Sequence, residues 1–310
     1  MNDTQPDQHS LFFGDEGLRA GWGLLLYVAL IAALFFAMQS AAGLLHHTPA
    51  PKSSLPHEQS PAALLISESV SFLLVAFASW IMSRIEHRSS GEYGLGGDHK
   101  LSRFLGGTGW GIAFLSLLIL TLKLTGLLVF DRRLLYGTNI LRYSLVWVVG
   151  FLFVALLEEY LLRGYLQFTL TRGLHSIYEA IGTSNSRAVS FWTAALLLSC
   201  VFGLGHRSNP GESPIGLFAA AVAGLVFCLS LWRTGSLWWA IGFHASWDWA
   251  QSFFYGVPDS GTMIQFHLFA THPVGKPLLS GGATGPEGSL FILPIMALIA
   301  CVILFTLPKS

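Results

Sequence analysis

The sequence predicts an all-α integral membrane protein with about eight transmembrane helices. Of its 310 residues, 53% are hydrophobic and only 11% are charged, whereas soluble domains carry roughly 25% charged residues. The apolar residues form continuous runs of about 20, the length of a membrane-crossing helix. Helices are favoured over a β-barrel because the runs do not alternate with period two and lipid offers the backbone no hydrogen-bond partner.

Eight apolar segments have a suitable length, and each is expected to form one spanning helix. They lie near residues 20–42, 62–83, 104–127, 143–170, 188–206, 215–232, 236–255 and 289–307. An even number of crossings places both termini on one side. The N-terminal tail, residues 1–19, is acidic before its first basic residue, Arg19. A signal peptide has the reverse pattern, so the first span is expected to be retained.

Lys and Arg are more frequent in the connections on the side of the termini. The residues on that side are Arg19, Arg84, Arg88, Lys100, Arg103, Arg163, Arg172, Arg187, Arg233 and Lys309, and those on the other side are Lys52, Arg132, Arg133, Arg142, Arg207 and Lys276. Ten against six favours cytoplasmic termini in a multi-pass cell-membrane protein. A net charge of zero without a basic block argues against nucleic acid as a partner.

Residues 20–310 are expected to form a single membrane domain with two long connections. The first, residues 46–61, is rich in Pro and Ser, and the second, residues 256–288, contains seven Gly and four Pro. Neither has apolar periodicity, so both are predicted to be irregular loops. The second is long enough to act as a lid, with a plain connector as the alternative.

Few polar residues interrupt the spans, and each is a candidate functional residue because charge near the membrane centre costs at least about 2.5 kcal/mol. Glu159 and Arg163 have the i, i+4 spacing of a helical ion pair. Glu158 lies about 100° around the same helix, which leaves its carboxylate without that partner. Glu68 and Lys123 are two further charges; we expect Glu68 to be a packing partner for another polar residue, and Lys123 to extend toward the membrane surface.

Two histidines follow in later spans. His244 and Asp248 also have i, i+4 spacing, so the carboxylate is expected to accept a hydrogen bond from the imidazole. Phe202 shares a helix face with His206 and is expected to wall its pocket. Each motif alone also fits a structural role, as an interhelical hydrogen bond or an interfacial histidine.

Taken together, one unpaired Glu, one His and a His–Asp pair on three helices match the groups needed for hydrolysis, a base for water and groups that stabilise an oxyanion. Glu plus two His is also a catalytic zinc set, although no His-Glu-x-x-His motif occurs. Gly107 and Gly111 have the four-residue spacing that lets helices pack closely.

The ordered set Glu158-Glu159-x-x-x-Arg163, Phe202-x-x-x-His206 and His244-x-x-x-Asp248 resembles the three motifs of the CPBP intramembrane proteases, the family of the type II CAAX prenyl endopeptidases. The resemblance covers about residues 145–254. It implies an eight-helix endopeptidase with a polar cavity open toward one membrane face. It also implies a peptide or lipidated-protein substrate.

By this resemblance, Glu158 and His206 activate the attacking water, Glu159 and Arg163 brace the site, and His244 with Asp248 stabilises the oxyanion. The commonest form of the third motif ends in Asn. An ionised Asp cannot donate a hydrogen bond to an oxyanion, so Asp248 is either protonated or orients and charges His244. A metal-free mechanism is favoured over a zinc enzyme, because one Glu and one His suffice to polarise water.

Other classes of protein remain possible from the sequence. A non-catalytic membrane scaffold with a retained protease-like fold is the main alternative, although no catalytic side chain is missing. A coupled transporter also needs buried ionisable groups but usually contains a repeat, and none is evident. A haem protein with His206 and His244 as axial ligands is a further alternative. The substrate itself is not encoded in the loops.

Overall fold

The computed structural model describes residues 12–14, 17–45 and 58–308, and within these ranges the chain is mainly helical. The helices are α1 (Ala20–Leu45), α2 (Pro61–Ile85), α3 (Lys100–Leu124), α4 (Thr138–Glu159), α5 (Gln167–Ala180), α6 (Ser186–Gly205), α7 (Pro214–Thr234), α8 (Trp238–Asp248), α9 (Pro277–Ser280) and α10 (Ile292–Thr306). Two π-helical segments, Tyr160–Leu166 and Trp249–Phe254, continue α4 and α8. The described residues leave out most of the predicted tail and the segment 46–57, which contains Lys52. They also leave out Lys309.

Each of the eight predicted segments contains a helix, so the predicted polytopic all-α fold is confirmed. Six helical stretches in the described ranges are long and apolar enough to cross a membrane. The other two are shorter than expected, since α10 has 15 residues and α8 has 11 before its π-helical continuation. The stretch Thr138–Ala180 has 43 residues and is kinked at Gly164, whose backbone is not helical, so it is not one straight spanning helix.

Short strands pair between the connections. They are β1 (Phe13–Gly14), β2 (Gly17–Leu18), β3 (Glu58–Gln59), β4 (Leu128–Arg133), β5 (Met263–Ile264) and β6 (Phe269–Pro273). β1 pairs antiparallel with β2, β3 parallel with β5, and β4 antiparallel with β6. The β3–β5 and β4–β6 pairs join connections on the membrane face opposite the termini, which we call the loop face.

The other face, which we call the termini face, is held together by arginines. Arg172 donates to the carbonyl of Leu18 just before α1, and Arg233 at the end of α7 donates to the carbonyl of Leu307 just after α10. Arg172 lines the same cavity as Trp232 and Gly235, which flank Arg233. The start of α1 and the end of α10 therefore lie on one face, as an even number of crossings requires.

The closest helix packing occurs between α3 and α8. A Cβ atom on Gly107 would overlap the carbonyl oxygen of Trp239, and one on Gly111 would overlap the Ser246 hydroxyl. Ser246 donates to the Thr108 carbonyl at 3.0 Å across the same interface. The predicted packing role of Gly107 and Gly111 is thus confirmed, and it fixes the position of α8.

The connection 256–288 is more ordered than the sequence suggests. It contains β5, β6, α9 and a 3₁₀ turn at Pro286–Gly288. Glycines with positive φ make its turns, as at Gly281, where a Cβ atom would overlap the Gly285 carbonyl. The prediction of an irregular loop is wrong because its short strands are stabilised by pairing with distant connections, which local periodicity does not reveal.

Candidate active site

The predicted site residues come from three helices. Glu158 and Glu159 end α4, just before the π-helical segment 160–166. His206 follows directly on α6, and His244 and Asp248 lie on α8, just before the second π-helical segment. Each π-helical segment thus starts directly after a site carboxylate. Short π-helical segments inside α-helices are frequent at functional sites.

A buried chain of charged groups holds His244 in place. Arg163 Nη1 donates to Glu159 Oε1 at 3.1 Å, and both side chains are fully buried. The same Glu159 oxygen lies 3.1 Å from His244 Nδ1, so a proton on Nδ1 donates to Glu159. The Arg163 guanidinium also lies 4.3 Å from the ring centroid of Phe202, a cation–π contact. The predicted Glu159–Arg163 ion pair is confirmed.

The other ring nitrogen of His244 faces two carboxylates. Nε2 lies 3.5 Å from Asp248 Oδ2 and 3.7 Å from Glu158 Oε2. The predicted hydrogen bond from His244 to Asp248 is present only as an ion-pair contact of 3.5 Å, and the hydrogen bond of the His244 ring is made to Glu159. The carboxylates of Asp248 and Glu158 both face Nε2 of His244, the ring nitrogen that points away from Glu159. Sequence spacing identified the neighbour on the same helix but not the one on α4.

His206 is fixed by its own helix. Its Nδ1 lies 2.8 Å from the Phe202 carbonyl oxygen, so Nδ1–H donates and Nε2 is left as an acceptor. Its ring packs edge-on against Phe202, with 4.7 Å between centroids, which confirms the predicted wall. No hydrogen bond joins His206 to Glu158 in the described part of the chain, but both residues line the same cavity.

This cavity, which we call the acidic cavity, has a volume of about 280 Å³. Glu158, His206, His244 and Asp248 all line it, so the structure brings together all four residues predicted to be catalytic. It is bordered on the loop face by residues of the connection 256–288. That connection therefore forms one wall of the site and is more than a plain connector.

Three further carboxyl groups line the acidic cavity and are not part of the three motifs. They are Glu68, Asp259 and Glu287. Glu287 accepts hydrogen bonds from Trp247 Nε1 at 2.9 Å and from the Ser260 hydroxyl at 3.1 Å. The sequence offered one signal for two of them, since Asp259 and Glu287 are the only acidic residues in the connection 256–288.

Asp259 lies outside the helices, yet it is partly buried. The Ser252 hydroxyl donates to its Oδ2 at 3.3 Å. Burial raises the pKa of Asp259 well above its ordinary value, and the neighbouring carboxylates of Asp248, Glu287 and Glu158 raise it further. Glu68 accepts a hydrogen bond from Ser67 at 3.0 Å. It faces this cavity, whereas the sequence suggested only a packing role.

Within the described residues, no group of three or more His, Cys, Asp and Glu side chains could hold a metal ion. The expectation of a metal-free site stays a prediction.

Together these features define a polytopic membrane protein with a carboxylate- and histidine-lined cavity among its helices. Residues 140–250 match the family model described as type II CAAX prenyl endopeptidase Rce1-like. The match covers a little over a third of the chain and agrees with the resemblance of its three motifs to this family of membrane endopeptidases. No curated protein and no solved structure matches the chain.

The matched segment contains all seven residues of the three motifs. Asp259 and Glu287 lie beyond its end. The division of the chain into a tail, a core at 145–254 and a long connection stays a prediction.

Proposed function

We propose that this protein is an endopeptidase that hydrolyses a peptide bond at or within the membrane, with a water molecule activated by Glu158 and His206. The supporting observation is that both residues line one cavity with His244, and that His244 is anchored through Glu159 by the buried Arg163. A general base, a second polarising group and a fixed hydrogen-bond donor then face the same small volume.

In this mechanism Glu158 accepts a proton from water while Nε2 of His206 orients the water. The hydroxide attacks the carbonyl carbon, the carbonyl π electrons move onto oxygen, and a tetrahedral oxyanion forms. When the C–N bond breaks, Glu158 returns its proton to the leaving amine. Glu158 is suited to this exchange because its side chain is 31% exposed, the least enclosed of the carboxylates around His244.

The oxyanion is stabilised by His244. With Nδ1–H donating to Glu159, a proton on Nε2 points between Glu158 and Asp248 into the cavity. An imidazole can donate from both nitrogens only in its charged form. Nearby carboxylates favour that form. Asp248 therefore orients His244 and stabilises its positive charge, and His244 donates the hydrogen bond to the oxyanion.

The charge of the acidic cavity limits its substrates. Five carboxyl groups line it, and the described lining residues include no Lys or Arg. A substrate segment that enters it is therefore neutral or positively charged beside the scissile bond, and a free terminal carboxylate is disfavoured. The proposed substrate is a membrane-associated peptide or lipidated protein cleaved upstream of such a residue.

The test is cleavage of quenched fluorescent peptides, with and without a lipid anchor, by the purified full-length protein. Glu158→Gln and His206→Ala should each lower kcat/KM by roughly 10²- to 10⁴-fold, the contribution of a positioned acid–base group. Glu68→Gln is the matched control, since it removes a carboxylate from the same cavity and should retain most of the activity. Turnover by Glu158→Gln within tenfold of wild type would contradict the mechanism.

A chelator arm separates the metal-free mechanism from its alternative. Activity should persist in excess chelator. Loss of activity with chelator that returns with zinc would assign Glu158, His206 and His244 to a metal. Absence of turnover for all peptides, with all variants folded, would favour a non-catalytic scaffold.

We further propose that both termini are cytoplasmic, which places the mouth of the acidic cavity on the opposite membrane face. Arg84, Arg103 and Arg233 lie on the termini face, and positive residues near spans favour the cytoplasm. A reporter fused after Ser310 that is active only in the cytoplasm should be active, and one inserted after Gly275 should be inactive. The reverse pattern would open the cavity to cytoplasmic substrates.

A further inference from the structure

A second cavity opens on the termini face, between the connection after α2, the π-helical segment 160–166, α5 and the ends of α6 and α7. Its volume is about 670 Å³. Its lining contains four arginines, one histidine and a single glutamate, and we call it the basic cavity. These six residues are Arg88, Arg163, Arg172, Arg187, His175 and Glu92. None of the three motifs requires this distribution of charge.

Three of these four arginines already form ion pairs with a glutamate, and Arg187 is the exception. Arg163 pairs with Glu159 at 3.1 Å, Arg172 with Glu86 at 3.3 Å, and Arg88 with Glu92 at 3.3 Å. Arg187 is exposed at the start of α6, and no ion pair among the described residues includes it. The basic cavity therefore has positive charge beyond its internal ion pairs.

Several lining side chains also have buried polar atoms with unused hydrogen-bonding capacity. Arg172 Nη1 and Gln167 Oε1 are both buried without a hydrogen-bond partner among the described residues. Gln167 is fixed, because its Nε2 donates to the Phe191 carbonyl at 3.0 Å. One unpaired donor and one unpaired acceptor beside a free cation suit a ligand that carries both an anionic group and a hydroxyl.

The surroundings of the cavity indicate its depth in the membrane. Phe191, Trp192 and Trp232 form an aromatic cluster at its edge, with Phe191 and Trp232 centroids 4.8 Å apart. Trp is enriched where the headgroup region meets the acyl chains. A basic cavity between helices at this level has the features of a lipid headgroup site.

We propose that the basic cavity binds the phosphate of an anionic, hydroxyl-bearing ligand, with Arg187 as the main charged contact. An anionic phospholipid headgroup is the source that the aromatic edge favours, and a soluble phosphate ester shares the same chemistry. The binding also reaches the acidic cavity, because Arg163 lines the basic cavity and donates to Glu159, the anchor of His244.

The experiment is native mass spectrometry of the detergent-purified full-length protein with phosphatidylglycerol or with phosphatidylcholine of the same acyl chains. We expect phosphatidylglycerol to be retained about tenfold more strongly, and Arg187→Gln to lower its retention about fivefold, the effect of one basic residue at a membrane surface. Arg84→Gln is the control, since this exposed arginine lies on the same face but outside the cavity. Arg84→Gln should retain phosphatidylglycerol as strongly as the wild-type protein does.

A second variant removes volume and leaves the charge intact. Thr171→Phe places a ring in the cavity and should also weaken retention, while the melting temperature without lipid shows that each variant is folded. Glycerol 3-phosphate that binds as tightly as the lipid and displaces it would assign the same site to a soluble phosphate ester. Equal retention of both lipids, or wild-type retention by both Arg187→Gln and Thr171→Phe, would overturn the inference.

Discussion

The two cavities of this protein lie toward opposite membrane faces and have opposite charge. Five carboxyl groups line the acidic cavity, and four arginines line the basic one. They are separated by one buried ion pair, Glu159 with Arg163. The same stretch, α4 with its π-helical continuation, thus supplies a carboxylate to one cavity and an arginine to the other. A few charged residues on one kinked helical stretch can therefore contribute to two cavities of opposite charge.

The largest effect is expected from this ion pair. Arg163→Met removes the arginine from the buried Glu159 carboxylate, which then keeps only His244 as a partner. The variant should destabilise the protein by about 3 kcal/mol, because breaking a buried ion pair leaves the remaining charge poorly compensated. The double variant Glu159→Leu/Arg163→Met should regain most of that stability, although it cannot anchor His244. Thermal unfolding in detergent measures both.

The control for this prediction is an exposed pair. Asp131 and His272 lie 2.9 Å apart on the loop face, with side chains 43% and 52% exposed. Asp131→Asn should change stability by less than about 1 kcal/mol. If Arg163→Met lowered stability no more than Asp131→Asn does, the buried ion pair between the two cavities would not stabilise the fold.

The next largest effect concerns the helix that carries His244 and Asp248. Gly107→Ala should cost about 1–3 kcal/mol, because its Cβ atom overlaps the backbone of Trp239 and forces α8 away from α3. Gly109→Ala, two residues away on the same helix, has open space around the added atom and should be neutral or slightly stabilising. Melting temperatures of the two variants test this directly.

Turnover gives the second measurement for this pair. Gly107→Ala should lower peptide cleavage at temperatures where it is fully folded, since α8 moves relative to Glu158. Equal stability and turnover of the two glycine variants would show that α8 is not positioned by α3.

A smaller effect distinguishes the two cavities by charge. Peptides with Lys beside the scissile bond should have about tenfold higher kcat/KM than the same peptides with Glu, because the acidic cavity attracts the cation. Glu287→Gln should reduce this preference by removing one carboxylate, while its amide can still accept a hydrogen bond from Trp247. A preference for Glu over Lys would contradict the proposed charge selection.

The sequence predicted the parts of the molecule that depend on local composition and on helical spacing. The spans, the Glu159–Arg163 pair, the Phe202 wall and the glycine contacts follow from periodicity within one helix. The contact of His244 with Glu159 was missed because it joins residues 85 positions apart.

The same limit explains the other differences between expectation and structure. Asp259 and Glu287 reach the acidic cavity only because the connection 256–288 folds back through strand pairing and glycine turns. The basic cavity was missed because its arginines are separated in the chain: Arg163 was identified only as the partner of Glu159, and Arg88, Arg172 and Arg187 looked like ordinary residues near the ends of spans.

The smallest effect tests the unusual environment of Asp259 through its pH dependence. Because burial and neighbouring carboxylates raise the pKa of Asp259 in the folded protein, the folded chain keeps this proton at pH values where the unfolded chain has lost it. Stability therefore falls as pH rises from the ordinary pKa of Asp to the raised one, by about 1.4 kcal/mol for each pKa unit between them.

Asp259→Asn should remove that loss and preserve the hydrogen bond from Ser252. The variant should match wild type near pH 4 and be more stable than wild type at pH 7, with melting temperatures measured at both pH values. Thr262→Val changes a neutral residue of the same cavity and should shift stability by the same amount at pH 4 and at pH 7. The carboxyl groups of Asp248, Glu287 and Glu158 remain in each protein, so their own titration largely cancels in the comparison. A difference between Asp259→Asn and wild type that is independent of pH would mean that Asp259 is solvated, and that its ionised carboxylate adds to the negative charge of the acidic cavity at pH 7.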